Sequence, residues 1–342
     1  MTRGALVTVA LALLLGSSAD DLRVSLHAAG AAYFAQMAKI APIAGPDTTY
    51  DYYERLRDDA DALDDSRVPA GYTAEQWNDY VRRTATLDLS LAQQLLAGEF
   101  VAPASIRGLG ETFVKSSRDG TMQPVAIYVP ASYRPARPAP LLVLLHGRPQ
   151  AESELLATPH VTALADETGT ILVAPWGRGY YDFRGSGEDV YDALHAAQSA
   201  FAIDPRKQFL AGYSMGGFSV FEVAPLHPAQ WAAVMSIAGS LLDSNAQRVQ
   251  TTLRRTPFYI LTGTNDDSIP TQFPTASAMY LANEGLDVSF YSLPGGTHRL
   301  VSLFPILSQA WHDMLAGVVR TPQLGFAAMR LPAAIPAMSM KP

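Results

Sequence analysis

The sequence predicts an α/β fold, a mostly parallel central sheet with helices on both faces, preceded by a helical N-terminal segment. Three observations predict it. From about residue 108, short aliphatic runs alternate with stretches of helical period, the pattern of repeated β-α units. Leu141 to Leu145 is an unbroken aliphatic run, as expected of a strand buried on both faces. Hydrophobic residues make up 48% of the 342-residue chain, enough for a large core.

The elements follow in order. Arg3 precedes an apolar stretch, Ala5 to Leu15, broken only by Thr8. The small residues Gly16-Ser17-Ser18-Ala19 and then Asp20-Asp21 come next. This is the layout of a secretory signal peptide over residues 1–19, with an apolar part too short to cross a bilayer. It implies an exported chain, periplasmic or secreted, and no later run is long and apolar enough to span a membrane. Residues 20–107 read as a helical segment. Leu22 to Ile40 carries Val24, Leu26, Tyr33, Phe34, Met37 and Ile40 at mostly helical spacing. Asp47 to Asp65 is acidic and bears Tyr50, Tyr52, Tyr53 and Leu56. Thr73 suits an N-cap for a helix through Trp77, Tyr80 and Val81, and a further helix is expected from Leu87 to Leu96.

Residues 108–318 carry the sheet. Thr112 to Ser117 and Val125 to Val129 alternate like strands, with Asp119-Gly120 as a hairpin signal, so the sheet should open antiparallel. After a proline-rich loop from Arg134 to Pro140 comes the strand Leu141 to Leu145. Further strands are expected at Ile171 to Ala174, Gln208 to Ala211, Ala232 to Ile237, Phe258 to Thr262 and Val288 to Leu293. Helices are expected at 151–168, 186–200, 215–226, 272–284 and from about Val301 to Leu315. Residues 319–342, rich in Pro, Ala and Met, read as a tail.

Charge and composition exclude several roles. The net charge is 25 − 32 = −7 with no Lys/Arg cluster, which argues against a nucleic-acid partner. The absence of cysteine removes disulfides, thiolate metal sites and cysteine nucleophiles.

Gly212-Tyr213-Ser214-Met215-Gly216 carries the chemistry. It lies between the apolar run ending at Ala211 and a helical stretch, so Ser214 sits on a strand-to-helix turn tight enough to demand glycine on either side. Its hydroxyl stands at the carboxyl edge of the sheet, with the positive end of a helix behind it. A serine hydroxyl needs a base to take its proton and an acid to orient the base. Where such a strand-to-helix turn carries the nucleophile, known hydrolases place both after the serine in the chain, each just after a strand. His298 meets this after Val288 to Leu293, and the other six histidines fit worse. The loop after Phe258 to Thr262 offers two acids, Asp266 and Asp267, and Asp243 is a weaker candidate. Backbone N–H groups of Met215 and Arg148 are the expected oxyanion donors, Pro149 having none. His146 reads as a hydrogen-bonding turn residue. Trp176, Tyr180 and Tyr181, beyond Ile171 to Ala174, suit either a substrate-pocket wall or packing over the sheet edge.

These motifs resemble the α/β-hydrolase superfamily over residues 108–316. Within it, the chain is similar to secreted esterases that include polyhydroxybutyrate depolymerases, feruloyl esterases and acetylxylan esterases. The likeness is carried by His146-Gly147-Arg148-Pro149-Gln150, Gly212 to Gly217, Gly263 through Asp266 to Pro270, and His298. It implies an α/β-hydrolase fold and a Ser214-His298-Asp266 triad, the acid loop placing Asp266 ahead of Asp267. It also implies carboxylic ester hydrolysis without cofactor or metal, on a small-molecule or polymer ester. The cysteines frequent in that group are missing, and the helical N-terminal segment is no part of its pattern. A peptidase resembling the catalytic domain of prolyl oligopeptidases, an acyltransferase, and a non-catalytic binding protein are the competing readings.

Overall fold

The computed structural model describes residues 18–179, 183, 185–320 and 330–334. In chain order the elements are helices α1 (Ala19–Ala44), α2 (Pro46–Asp64) and α3 (Ala74–Ala97), then β1 (Gly108–Lys115), β2 (Met122–Val129) and β3 (Ala139–Leu145). Helices α4 (Glu152–Ala157) and α5 (Pro159–Thr168), β4 (Ile171–Pro175), α6 (Gly187–Ala200) and β5 (Ile203–Tyr213) follow. Last come α7 (Met215–Val223), β6 (Ala233–Ile237), α8 (Asp243–Thr252), β7 (Phe258–Gly263), α9 (Gln272–Asn283), β8 (Val288–Leu293) and α10 (Phe304–Ala316). Among the described residues no helix is long and apolar enough to cross a membrane.

The chain forms two compact units. The first takes in α1–α3 and the antiparallel neighbours β1, β2 and β4. Its opening hairpin pairs Gly108 with Val129 through Lys115 with Met122, as the turn signal at Asp119-Gly120 predicts. The second holds β3, β5, β6, β7 and β8, side by side and all parallel. Leu145 pairs with Gly212, Tyr213 with Ile237, and Gly263 with Leu293. The carboxyl ends of the strands therefore line one edge, and the loops that leave it bear His146, Ser214, Asp266 and His298.

Several elements depart from the sequence expectation. One continuous helix, α3, replaces the two expected at Trp77 to Val81 and Leu87 to Leu96. The intervening threonines do not break it, because Thr84 and Thr86 Oγ1 donate back to the carbonyls of Tyr80 (3.1 Å) and Arg82 (2.7 Å). Thr73 and Gln76 close a capping box at its start, and Gly98, at φ 66°, ends it. The single helix expected at 151–168 is two. Pro159 forces Thr158 out of helical geometry, to ψ 115°, and α5 starts anew at the proline. Helix α8 was not expected: Ala246 and Val249 are its only apolar residues, too few to mark a helix in so polar a stretch. In α1 the core face is Leu22, Leu26, Tyr33 and Ile40, while Val24 and Phe34 are exposed. Of the expected leader only Ser18 and Ala19 are described; Ser18 Oγ caps α1 by accepting from Asp21 N–H (3.1 Å).

A buried ionic cluster knits the first unit together. The Arg55 guanidinium on α2 donates to Asp88 on α3 (2.6 and 3.1 Å) and to Glu152 (3.1 Å) and Ser153 Oγ (2.7 Å) on α4. It lies over the Tyr52 ring at 4.2 Å, and Tyr52 Oη donates to Glu152 (2.8 Å). Arg55, Asp88 and Glu152 are all buried, a costly arrangement unless each charge is paired. One guanidinium serves more acids than it can neutralise. Burial pushes the Asp59 and Glu111 carboxyls far above the usual carboxylate range, and that of Glu154 from 4.5 up to about 7.

These acids hold protons in the folded chain that the unfolded chain has lost by neutral pH. Their contribution to stability is complete below the unfolded values, 3.8 for Asp59 and 4.5 for Glu111 and Glu154, and is lost as pH rises through the folded values, about 7 for Glu154. The melting temperature is therefore expected to be higher at pH 5.5 than at pH 8.5, by on the order of 5 °C. Glu111→Gln should raise the pH 8.5 value and flatten the dependence, which differential scanning calorimetry at the two pH values checks.

Candidate active site

The site is built on a backbone contact. At Gly212 an added Cβ would sit 2.1 Å from the Gly216 carbonyl oxygen, and at Gly216 it would sit 2.3 Å from that of Leu145. Strand β5, the start of α7 and the end of β3 thus touch backbone to backbone. Between the two glycines, Ser214 takes φ 53° and ψ −113°, a conformation that costs a side-chain-bearing residue on the order of 1–3 kcal/mol. The turn is pinned by Ser214 N–H donating to Ile237 O (2.8 Å) and Gly216 N–H to His146 O (3.0 Å). The backbone is thereby held in the shape that lifts Oγ off the strand end.

His298 receives it. Ser214 Oγ lies 2.8 Å from His298 Nε2, and His298 Nδ1 lies 2.8 Å from Asp266 Oδ2. With Nδ1 as donor to the carboxylate, Nε2 is left to accept the serine proton. The other Asp266 oxygen, Oδ1, accepts from the N–H groups of Ile269 (2.7 Å) and Ser268 (3.0 Å). Ile269 is buried with Phe218 and Leu242, and this apolar anchor holds the acid turn in place. The two loops are also tied directly, Asn265 N–H to Gly296 O at 2.8 Å and Gly295 N–H to Thr264 Oγ1 at 2.8 Å. The Ser214 and Asp266 side chains are buried, and the imidazole is 16% exposed, the one member of the three open to solvent.

The remaining expected residues fall into place unevenly. Asp267 is exposed and takes only a long bond from Ser268 Oγ (3.4 Å), so Asp266 is the acid that meets His298. Asp243 opens α8, where its N–H donates to Pro332 O in the tail (3.0 Å). Met215 begins α7, in the turn whose N–H groups lack intrahelical acceptors. Arg148 follows β3, its side chain exposed. His146 is buried, with Nδ1 on the Gly147 carbonyl (2.9 Å) and its ring 5.1 Å from that of Phe183. Trp176 belongs to the first unit, is fully buried, and lies under the Arg55 guanidinium at 5.1 Å, so it packs. Tyr180 and Tyr181 lie outside the described residues. Among the described residues no group of three or more His, Cys, Asp and Glu side chains is arranged to hold a metal ion. One residue of the site went unnoticed in the sequence: Tyr213, whose hydroxyl donates to the His298 carbonyl at 2.8 Å. Its position inside the glycine-serine motif was the available signal.

Residues 116–285 match the esterase family model. The match takes in 170 of the 342 residues (285 − 116 + 1) and is a likeness to that family. Among solved structures, the domain is similar to a thermostable esterase at 19% identity and a TM-score of 0.52, over 62% of this chain and 63% of that one. It is also similar to a ferulic acid esterase at 17% identity and a TM-score of 0.51, over 61% of this chain and 98% of that one. At these identities the likeness is one of fold. No curated protein sequence matches the chain.

The contact at Gly216 predicts the consequence of filling it. Gly216→Ala drives a methyl into the Leu145 carbonyl and should either abolish soluble folding or cost on the order of 3 kcal/mol or more, measured by urea denaturation. An alanine variant as stable as the parent would contradict the contact.

Proposed function

We propose that the chain is an exported serine esterase that hydrolyses carboxylic esters through an acyl-enzyme. The single observation that supports it most is the unbroken hydrogen-bond chain from Ser214 through His298 to Asp266, each link 2.8 Å. Ser214 Oγ attacks the ester carbonyl carbon as its proton passes to His298 Nε2. The N–H groups of Met215 and Arg148 receive the negative charge that develops on the carbonyl oxygen. The tetrahedral intermediate collapses, the alkoxide leaves with the proton held on Nε2, and Ser214 is left acylated. Water then repeats the sequence: its proton goes to Nε2, its oxygen bonds the acyl carbon, and Ser214 Oγ recovers the proton as the acid departs. Asp266 keeps Nδ1 protonated and stabilises the imidazolium throughout. Export rests on the leader-like layout of residues 1–19.

The test is turnover of a p-nitrophenyl ester series, acetate through long acyl, by the purified chain and by Ser214→Ala. Turnover that disappears in Ser214→Ala is the expected result; equal turnover in the variant, or hydrolysis of aminoacyl-arylamides in place of esters, would overturn the esterase reading. Asp266→Asn should lower kcat by roughly 10³- to 10⁴-fold, whereas Asp267→Asn should stay within about twofold, as exposed substitutions do.

A further inference from the structure

The geometry points to Tyr213 as a positioning residue that keeps His298 in place during the second half of the reaction, after Ser214 has been acylated. The inference rests on the esterase reading above. Tyr213 lies between Gly212 and Ser214, on the strained turn itself, and its side chain reaches two other loops of the site. Its hydroxyl donates to the backbone carbonyl of His298 at 2.8 Å, with the two rings 5.6 Å apart. Its ring rests on Gly147, where an added Cβ would lie 2.8 and 2.9 Å from Cδ1 and Cε1. One side chain thus spans the nucleophile turn, the base loop, and the turn that carries Arg148.

The consequence differs between the two halves of the reaction. In the free enzyme the imidazole is held on both sides, by Ser214 Oγ at Nε2 and by Asp266 at Nδ1. Acylation esterifies Oγ and removes its hydroxyl, so the Nε2 link is lost. Among the described side chains, the Asp266 link at Nδ1 and the Tyr213 link at the backbone carbonyl then remain. Gly295 and Gly296 tie the loop to the acid turn and Thr297 donates to Ser302 Oγ, while the Tyr213 bond alone among these is made to the backbone of His298 itself and so resists drift of the imidazole away from the acyl carbon. Tyr213 exchanges no proton: in deacylation water gives its proton to Nε2, and Nε2 returns one to Ser214 Oγ as the acyl–oxygen bond breaks.

Tyr213→Phe removes the hydroxyl and keeps the ring on Gly147. It is compared with the parent on the best p-nitrophenyl ester, by stopped flow for the burst of p-nitrophenol and by acid quench and mass spectrometry for the acylated fraction of Ser214. The variant should keep kcat/KM and the burst rate within about twofold and lose between about threefold and tenfold in kcat, with KM falling alongside, as one net hydrogen bond allows. The steady-state acylated fraction should rise. A fall in kcat/KM and burst rate as large as that in kcat would mean a generally loosened turn and would overturn the assignment, as would unchanged kinetics or a fall in the acylated fraction. A melting temperature within about 2 °C of the parent separates a kinetic effect from lost structure; a larger drop with parallel losses in both steps also counts against it. Failure of the esterase reading shows instead in the parent, as neither turnover nor acylation of Ser214.

Discussion

Everything at the site depends on the contact between the Gly212–Gly216 turn and the end of β3. Two positions without a Cβ let three stretches of backbone meet, and that meeting leaves Ser214 no choice but a positive φ. The strain is small beside the packing that enforces it: β3, β5 and α7 are buried throughout their contact. The payoff is geometric. The Cα–Cβ bond of Ser214 is aimed off the strand end, Oγ is fixed there by its bond to His298 Nε2, and the first turn of α7 lies directly behind it. Placement of the base and the acid follows from the same parallel sheet, since each stands on a loop leaving the same edge of β7 or β8.

The acid loop shows how a buried charge is kept at a surface-facing site. Asp266 Oδ1 is satisfied by two backbone N–H groups of its own turn, which leaves Oδ2 for the imidazole. Ile269 anchors the turn in an apolar cluster, so the carboxylate is oriented by packing and by hydrogen bonds together. Its neighbour Asp267 has the same chemistry and a different environment, and environment decides which of the two meets His298. In the first unit, charge is handled in another way. Arg55 sits among several buried acids, and protons take up the charge that it cannot balance.

Much of this was legible in the sequence, and the parts that were share a cause. Ser214, His298 and the sheet alternation are fixed by local constraints, a glycine at a close approach or an apolar run between turns, and these leave a mark in one stretch of chain. Asp266 could be separated from Asp267 only by resemblance, because the difference between them is which side chain the loop turns inward. Helix α3 reads as two because its threonines lower helix propensity, and tertiary packing of Leu89, Leu91 and Ala92 overrides that. The break at Thr158 was legible in Pro159 and missed. Helix α8 has only two apolar residues, Ala246 and Val249, too few to mark it in the sequence. The motif marks Tyr213 as lying beside the nucleophile but not what it bonds, and the Arg55 cluster has no local mark: the partners are 85, 33 and 97 residues away in the chain.

The central claim is that Ser214 is an activated nucleophile in a site already assembled. Reaction of the purified chain with a fluorophosphonate, followed by peptide mapping in a mass spectrometer, tests it most directly. One adduct per chain, on Ser214, formed within minutes and slowed strongly by His298→Ala, is the result the geometry predicts. No adduct, an adduct on another residue, or labelling of Ser214 that does not depend on His298 would contradict it.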